Sequence, residues 1–416
     1  MALEVATGSF NIGTGGVGTT VSITSLSFEP KVIIFGWSGR TAVGQAEGSH
    51  KFGMGYMISA ADRGGVTTQS QHAAANANAD QQTFDDACIK LLTTAGAVDG
   101  AADFDAFLSN GFRLIIDDQF VADYLVTYLA LGGVDLTDVK SVTVTVPAAT
   151  GDQDITTVGF QPDCAIAFGT SGYAINVTGA FSNFAIGVAA GASPSSYCLA
   201  GCSDNNLATM NTMSYCIDEF LAEVFLDAVA LRGSLTAWLS NGFRINWVEV
   251  ASGIITRVLC LKGGRYAVGD ILSQTDTNNF SETGAGFTPK ALMFGSHNKV
   301  KSTTNVTQAG DERCIGFAVS PTERNAFGIV DKDAVADADV GVAVHTDQCY
   351  SNQSLDATIV VEGLMDLVSM DADGFTSVMD DADPAQAFVW YLAFGDAPGW
   401  GFPFRRRPLP QAILAR

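Results

Sequence analysis

The sequence repeats itself three times, and this repeat constrains the fold more than any other feature. The pentapeptide SNGFR occurs at 109–113 and again at 240–244, and a looser copy, ADGFTSVMDD, lies at 372–381. A second landmark, Phe-x-Pro followed by an apolar run and a glycine, occurs once per repeat, at Phe28, Phe160 and Phe287. Because these landmarks return in the same order about every 130 residues, the chain is predicted to contain three copies of one unit.

The closing strand of each copy sets the boundaries of the repeats. An apolar run ends in glycine at 124–133, 256–264 and 388–396. The predicted units are therefore 1–138, 139–266 and 267–398, followed by a separate segment at 399–416. Each unit is long enough to bury a core of its own.

The local amino-acid composition is typical of β-strands. Runs such as TTVSITS at 19–25 and VKSVTVTV at 139–146 are rich in Val, Ile and Thr. Asn-Gly or Asp-Gly precedes a phenylalanine in each copy, at Phe112, Phe243 and Phe375, and is a tight-turn signal that leads into a strand. We therefore predict an all-β fold of three tandem β-sandwich, jelly-roll-like domains with an extended C-terminal arm.

The charge of the chain argues against nucleic acid and membranes as partners. With 22 basic and 44 acidic side chains, the formal charge is −22, and such a field repels phosphate backbones and anionic lipid. No run reaches the ~20 apolar residues of a membrane span, and MALEVATGSF lacks the regions of a signal peptide. We expect a reducing cytoplasm and eight buried thiols: Cys88, Cys164, Cys198, Cys202, Cys216, Cys260, Cys314 and Cys349.

Two patterns resemble known sites but have a simpler interpretation. GTGGVG at 13–18 looks like a phosphate-binding loop, yet a β-like run follows it and no lysine is near, so a glycine-rich hairpin is favoured. Neighbouring acids, as at Asp85 and Asp86, point to opposite faces of a strand. They therefore do not form the facing carboxylate pair of a glycosidase.

The segment 331–340 carries alternating carboxylates, at Asp331, Asp333, Asp337 and Asp339. Such oxygens could bind Ca²⁺, but the segment lacks the glycine and the terminal glutamate of an EF-hand loop. A solvated acidic loop is the favoured interpretation, and a bound ion is the alternative.

The histidines and cysteines show no catalytic or metal-binding spacing. The four histidines are isolated in the sequence, at His50, His72, His297 and His345. Cys198 and Cys202 form a C-x3-C without a second pair at zinc spacing, and Cys88, Cys216 and Cys349 are expected to fill one matching core position per repeat. We expect no catalytic residue, no metal and no cofactor, and hence a protein that is not an enzyme.

The segment 399–416 differs from the rest of the chain. It holds four arginines and no acid, with aromatic residues between prolines. Aromatic and arginine side chains dominate interface hot spots, and arginines pair with carboxylates. We predict that this arm binds a partner through Trp400, Phe402, Phe404, Arg405, Arg406 and Arg407.

The GF-x-PKA opening, the NGF or DGF hairpin and the closing YLALGG are similar to repeats in structural proteins of tailed bacteriophages and prophages. The resemblance covers 1–398 and leaves out the arm; the lysine of the opening is replaced by Asp163 in the second copy. It implies a non-enzymatic virion component made in the host bacterial cytoplasm: a capsid decoration, a head or collar fibre, or a tail appendage. Its partners would be other virion subunits and further copies of itself, and a trimer is the oligomer that we expect.

The alternative hypothesis is a glycan- or receptor-binding adhesin, either a tail fibre or a lectin-like array on a bacterial surface. Exposed aromatic rings at Trp37, Tyr56 or Trp400 would then stack on sugars, whereas core or interface positions are the simpler expectation for them. An enzyme such as a depolymerase is a third hypothesis, and it would need a cleft with two facing carboxylates.

Overall fold

The computed structural model describes residues 2–225, 228–303, 305–355 and 358–398. These residues form β-strands that pair antiparallel and are joined by turns, which confirms the all-β prediction. The described part of the chain holds no helix long and apolar enough to cross a membrane.

The first repeat builds one large and one small sheet. Its described strands are β1 (Leu3–Asn11), β2 (Thr20–Ile23), β3 (Pro30–Trp37), β4 (Gly44–Glu47), β5 (Gly53–Ser59), β6 (Asp62–Ser70), β7 (Ala79–Phe84), β8 (Ile89–Leu92), β9 (Val98–Leu108), β10 (Gly111–Asp118) and β11 (Leu125–Gly133). The large sheet has the order β1-β11-β3-β5-β6-β7, and the small sheet has the order β2-β10-β9-β8. β4 belongs to neither.

The second repeat follows the same plan. Its described strands are β12 (Asp138–Thr145), β13 (Gly151–Ile155), β14 (Cys164–Gly169), β15 (Gly179–Ala180), β16 (Phe184–Ala190), β17 (Ser195–Ser203), β18 (Thr212–Ile217), β19 (Leu221–Phe225), β20 (Ala228–Leu239), β21 (Gly242–Glu249) and β22 (Ile255–Lys262). The two sheets have the orders β12-β22-β14-β16-β17-β18 and β13-β21-β20-β19.

The third repeat has the same arrangement of one large and one small sheet. Its described strands are β23 (Arg265–Leu272), β24 (Asn279–Thr283), β25 (Ala291–Ser296), β26 (Gln308–Ala309), β27 (Asp311–Ser320), β28 (Glu323–Asp331), β29 (Val340–His345), β30 (Tyr350–Leu355), β31 (Ile359–Asp371), β32 (Gly374–Asp381) and β33 (Phe388–Gly395). The sheets are β23-β33-β25-β27-β28-β29 and β24-β32-β31-β30.

Within a repeat, the large and small sheets pack face to face on an apolar core. In the first repeat, Phe35 of β3 and Phe112 of β10 meet between the sheets with ring centroids 5.7 Å apart. The phenylalanines of the three hairpin motifs are all buried in this way: Phe112, Phe243 and Phe375. The motif is therefore a repeated core element.

The glycine before each of these phenylalanines is required by a close approach of backbones. A Cβ on Gly111 would clash with the carbonyl oxygen of Ile23 on the neighbouring strand β2. Gly242 faces Ile155 in the same manner. The turn glycine thus lets the first strand of each small sheet pack against the hairpin corner.

Three short strands join the repeats into a closed ring. β15 of the second repeat pairs with β7 of the first, and β26 of the third pairs with β18 of the second. β4 of the first repeat pairs with β29 of the third, which closes the cycle. Each large sheet therefore has seven strands, six from its own repeat and one from the next.

The ring has one continuous core in addition to the cores of the sandwiches. Apolar side chains of all three large sheets form it, among them Met54, Ile186 and Ile315. β12 and β23 begin at Asp138 and Arg265, within two residues of the sequence boundaries. The division into three domains stays a prediction, because the repeats share strands and a core.

All eight cysteines are buried and unpaired, which confirms the prediction of buried thiols. The expected match between Cys88, Cys216 and Cys349 is wrong for the second repeat. A Cβ on Gly55 would clash with the carbonyl oxygen of Cys88. The corresponding clash in the second repeat, at Gly187, involves Phe220, whereas Cys216 lies four residues earlier in β18.

Candidate functional site

The predicted partner-binding arm lies outside the described residues. This applies to Trp400, Phe402, Phe404, Arg405, Arg406 and Arg407. Their role stays a prediction.

The other two rings proposed for sugar stacking are core residues. Trp37 and Tyr56 are both 0% exposed. The Tyr56 hydroxyl accepts a hydrogen bond from Nε of Arg257 at 2.9 Å, and its ring packs on Phe168 of the second repeat. The stacking hypothesis is therefore wrong for Trp37 and Tyr56, while Trp400 lies outside the described residues.

The glycine-rich segment 13–18 lies in the loop between β1 and β2. Because β1 belongs to the large sheet and β2 to the small sheet, this loop joins two sheets, and the hairpin interpretation is wrong. The acidic segment is only partly solvated, because Asp337 is exposed whereas Asp331 is buried. Asp331 is 0% exposed, so it is not solvated. Asp333 accepts a hydrogen bond from the backbone N–H of Thr212 at 2.9 Å. Among the described residues, no group of three or more His, Cys, Asp or Glu side chains is placed to hold a metal ion.

The carboxylates of this segment instead link the third repeat to the other two. Asp331 lies 3.4 Å from Nε2 of His50 in the first repeat and accepts a hydrogen bond from Ser203 of the second. Asp339 lies 3.6 Å from His72 of the first repeat. The segment therefore connects repeats.

Asp331 belongs to a polar cluster at the centre of the ring, which we call the central cluster. Its members are His50, Phe52, Thr68, Ser182, Phe184, Ser203, Asp311, Arg313 and Asp331. One repeat position contributes a side chain to the central cluster from each repeat. It lies five residues before the shared glycine at 55, 187 and 316, and it holds His50, Ser182 and Asp311. The three repeats meet here through different side chains.

Arg313 is the residue around which the central cluster is organised. Its side chain is 0% exposed, and its guanidinium lies 5.7 Å from the ring centre of Phe52 and 5.4 Å from that of Phe184. These two rings stand edge to face, 4.8 Å apart. A desolvated cation over two aromatic faces is a stabilising arrangement.

The guanidinium also donates hydrogen bonds into every repeat. Nε donates to Asp311 at 2.7 Å, and Nη2 donates to the carbonyl oxygen of Ser182 at 2.7 Å. Nη1 donates to the hydroxyl of Thr68 at 3.3 Å. One buried side chain therefore joins all three repeats.

The two carboxylates of the central cluster respond differently to burial. Burial raises the pKa of Asp311 to about 6, although the charge and hydrogen bonds of Arg313 oppose the shift. Burial also disfavours the ionised form of Asp331, but the charge of His50 and hydrogen bonds from His50 and Ser203 hold its pKa below the usual value. Both carboxylates are therefore ionised at neutral pH, and Asp331 keeps its charge to lower pH than Asp311 does.

The sequence carried a signal for Arg313 that motif reasoning missed. When the repeats are aligned on their shared glycine, Arg313 stands where the other two have Phe52 and Phe184. A charged residue at an apolar repeat position marks a place where the copies are not interchangeable.

A groove between the second and third repeats is the second feature with the character of a site. It has a volume of about 540 Å³. Trp238 forms one wall, and its Nε1 donates to the carbonyl oxygen of Gly191 at 2.7 Å, which fixes the ring. Arg265, Tyr266 and Phe287 of the third repeat line the groove as well.

The groove also presents polar groups. Asp163, whose Oδ2 accepts a hydrogen bond from the N–H of Gly263 at 2.8 Å, lines it beside Gln161. Aromatic walls with a few oriented polar groups are typical of ligand sites.

Comparison with protein-family models and with curated proteins finds no match for this chain.

Proposed function

We propose that the protein is a non-enzymatic structural component of a tailed-phage virion surface, a decoration, fibre or appendage subunit made in the host bacterial cytoplasm. The resemblance of 1–398 to repeats of tailed-phage structural proteins supports this proposal. The observation that carries it is the closed ring, in which three repeats exchange strands and share one core. Such a construction suits a subunit that must keep one shape.

The ring also bears on how the subunit would assemble. A free sheet edge is a template for pairing with another chain, and the outer edges of β7, β18 and β29 are each covered by a strand of the next repeat. The opposite edge strands of these sheets are β1, β12 and β23. We propose that the contact with other virion subunits, and self-association into an oligomer such as a trimer, is made through the arm 399–416. Its arginines would pair with carboxylates of the partner.

Mass in solution and binding to virions test this proposal. The full chain and a chain ending at Pro398 are compared by light scattering and by co-sedimentation with particles of the phage that encodes them. We expect the full chain to co-sediment or to form a defined oligomer and the shortened chain to do neither. A matched full-length variant, with Arg405, Arg406 and Arg407 each changed to Glu, should behave as the shortened chain does. Equal binding by all three proteins would contradict docking through the arm, and release of sugars from a host polysaccharide would contradict a non-enzymatic role.

The groove beside Trp238 favours a second candidate function, glycan or receptor binding. A fixed indole ring offers a flat apolar face to a sugar, and Asp163 and Gln161 offer hydrogen bonds to hydroxyl groups. A glycan array probed with the wild type, with Trp238→Ala and with Phe107→Ala would test it. Phe107 is the matching control, because it pairs with Phe112 as Trp238 pairs with Phe243. Glycan signals lost only in Trp238→Ala would support this candidate, and signals unchanged by it would exclude the groove.

A further inference from the structure

A cleft between the first and second repeats is separate from the groove beside Trp238, and neither candidate function uses it. It has a volume of about 570 Å³. The hairpin of β5 and β6 lines one side with residues 61–63, and β12 lines the other with residues 140–143. The rest of the lining comes from Asp85, Thr157 and Arg257. Eight of the ten lining residues are polar or charged, so the cleft suits a polar ligand.

The most buried cation of this cleft is Arg257, which lies in β22 and is 8% exposed. Its guanidinium donates hydrogen bonds to three hydroxyl groups. Nε donates to Tyr56 at 2.9 Å, Nη1 to Thr143 at 2.6 Å and Nη2 to Ser141 at 2.7 Å. Because a guanidinium has five N–H groups, one N–H on each of Nη1 and Nη2 has no acceptor among the described residues.

The guanidinium of Arg257 borders the open part of the cleft. Arg257, Ser141 and Thr143 all line the cleft. β12 is an edge strand of its sheet, and Thr143 on this strand is exposed. Because Nη1 of Arg257 lies 2.6 Å from the Thr143 hydroxyl, this end of the guanidinium forms part of the cleft wall, where a ligand can contact it.

Arg257 lacks the carboxylate partner that the other buried arginines have. Arg232 and Arg313 are also buried, and each forms an ion pair with a carboxylate. Arg257 forms no ion pair within the described part of the chain. The carboxylate of Asp62 is linked to it only through Ser141, whose hydroxyl donates to Asp62 and accepts from Nη2. A buried cation without a paired anion is costly, so this position is suited to receive an anion.

The register of the large sheets shows that this cation is particular to the second repeat. The residues directly before the shared glycine are Met54, Ile186 and Ile315. Two strands across the sheet from them, the matching residues are Thr127, Arg257 and Trp390, in the same order. Arg257 therefore stands where the other two repeats have an uncharged side chain.

Lys140 is a second cation of the cleft that has no carboxylate partner among the described residues. Its Nζ donates to the carbonyl oxygen of Thr157 at 3.0 Å, and both residues line the cleft. The third cation of the lining, Arg63, is paired with Asp103 at 2.6 Å. Lys140 and Arg257 are therefore the two positive charges that the cleft offers to a ligand.

We propose that this cleft binds an acidic sugar, with the sugar carboxylate on Arg257 and the sugar hydroxyl groups on the other polar walls. A carboxylate presents two oxygens in one plane, which fits the fork of a guanidinium. The volume of about 570 Å³ is far larger than the ~30 Å³ of a water molecule, so a sugar ring has room. Asp62 and Asp85 also line the cleft and can accept hydrogen bonds from hydroxyl groups. The same two carboxylates would repel a phosphate or a polyanion, which carries more negative charge.

Calorimetric titration of the purified full chain tests the proposal, with sodium D-glucuronate as the probe and D-glucose as its uncharged counterpart. We expect one saturable site for glucuronate and at least tenfold weaker binding of glucose and of acetate. Arg257→Gln, which keeps hydrogen-bonding groups but removes the charge, should weaken glucuronate binding at least tenfold. Ala61→Trp places a large ring at an exposed position of the cleft wall and should abolish binding.

Arg244→Gln is the matched control, because it removes an arginine of the second repeat that lies outside the cleft lining, and it should leave binding unchanged. Each variant is first checked by circular dichroism. If Arg257→Gln does not fold, the wild type with its three probes and Ala61→Trp still decide the outcome. Any of four results would overturn the proposal: no saturable glucuronate binding, equal affinity for glucose, equal affinity for acetate, or glucuronate binding that the two cleft variants leave unchanged. The cleft shares no lining residue with the groove beside Trp238, so neither candidate function depends on this result.

Discussion

The hairpin corners and the centre of the ring are both built from matching positions of the three repeats, but only the corners use the same residue each time. Each corner has glycine followed by buried phenylalanine, at Phe112, Phe243 and Phe375. The matching positions at the centre hold Phe52, Phe184 and Arg313. The two regions therefore obey different rules although they belong to the same repeats.

The difference follows from what each position faces. A corner faces the sandwich of its own repeat, and three similar surroundings accept the same residue. At the centre, the side chains face each other, and three arginines there would repel one another. A homotrimer must place identical residues around its axis, whereas one chain can place a single cation between two aromatic rings. This asymmetry fixes the order in which the repeats meet.

Removing the cation should have the largest effect on this comparison. Arg313→Leu leaves Asp311 buried without its partner, and breaking a buried ion pair in this way costs about 3–5 kcal/mol of the free energy of unfolding. Denaturant unfolding followed by circular dichroism measures it. A loss below about 1 kcal/mol would show that Arg313 does not hold the ring together.

A double variant sharpens the same test. Asp311→Ser with Arg313→Phe copies the second repeat, which has Ser182 and Phe184 at these positions. Because it removes the carboxylate together with the cation, most of the stability lost in Arg313→Leu should return. If the double variant is as unstable as Arg313→Leu, then a centre with phenylalanine in all three repeats is itself destabilising.

The next effect concerns Glu223, which replaces an apolar residue of the first repeat. Its pKa is raised to about 8 by burial, so the folded chain keeps a proton that the unfolded chain releases near pH 4.5. Stability from this group is fully present below pH 4.5 and is lost as pH rises toward 8, by about 5 kcal/mol at ~1.4 kcal/mol per pKa unit. Relative to Glu223→Gln, the wild type should lose stability over this range in denaturant unfolding. Parallel pH profiles of the two proteins would contradict a buried, protonated Glu223.

A smaller effect is expected at the corners, and it should be similar in all three. Gly111→Ala, Gly242→Ala and Gly374→Ala each place a Cβ against a backbone carbonyl of the neighbouring strand. Such local strain costs of order 1–3 kcal/mol, which thermal unfolding can compare between variants. Clearly unequal losses would show that the corners are less alike than their sequences.

The smallest effect is expected on the surface. Arg244 follows Phe243 in the hairpin motif and pairs with Asp154 across to β13, where both side chains are exposed. Solvent screens such a pair, so Arg244→Ala should leave the unfolding midpoint unchanged within error. A marked loss would mean that the arginine of SNGFR has a structural role that its exposure does not indicate.

The sequence predicts the corners well because the turn glycine and the buried phenylalanine act locally. The sequence does not predict ring closure, because β15 and β26 are only two residues long. Strands this short cannot show the alternation of apolar and polar residues that marks a strand in a sequence. The sequence partly predicts the central cluster, because Arg313 stands at a repeat position that is phenylalanine in the other two copies. The groove beside Trp238 was not predicted, because residues far apart in the sequence line it, such as Gln161, Trp238 and Phe287.

The central claim is that the ring closes within one chain, where β4 of the first repeat pairs with β29 of the third. Gln45 and Ala343 are directly paired there, at a spacing that a disulfide can bridge. We would oxidise the variant Gln45→Cys with Ala343→Cys at low protein concentration and map its disulfides by mass spectrometry. We expect a bond between these positions at the mass of a single chain. A bond that forms only between two chains, or no bond in a folded protein, would contradict it.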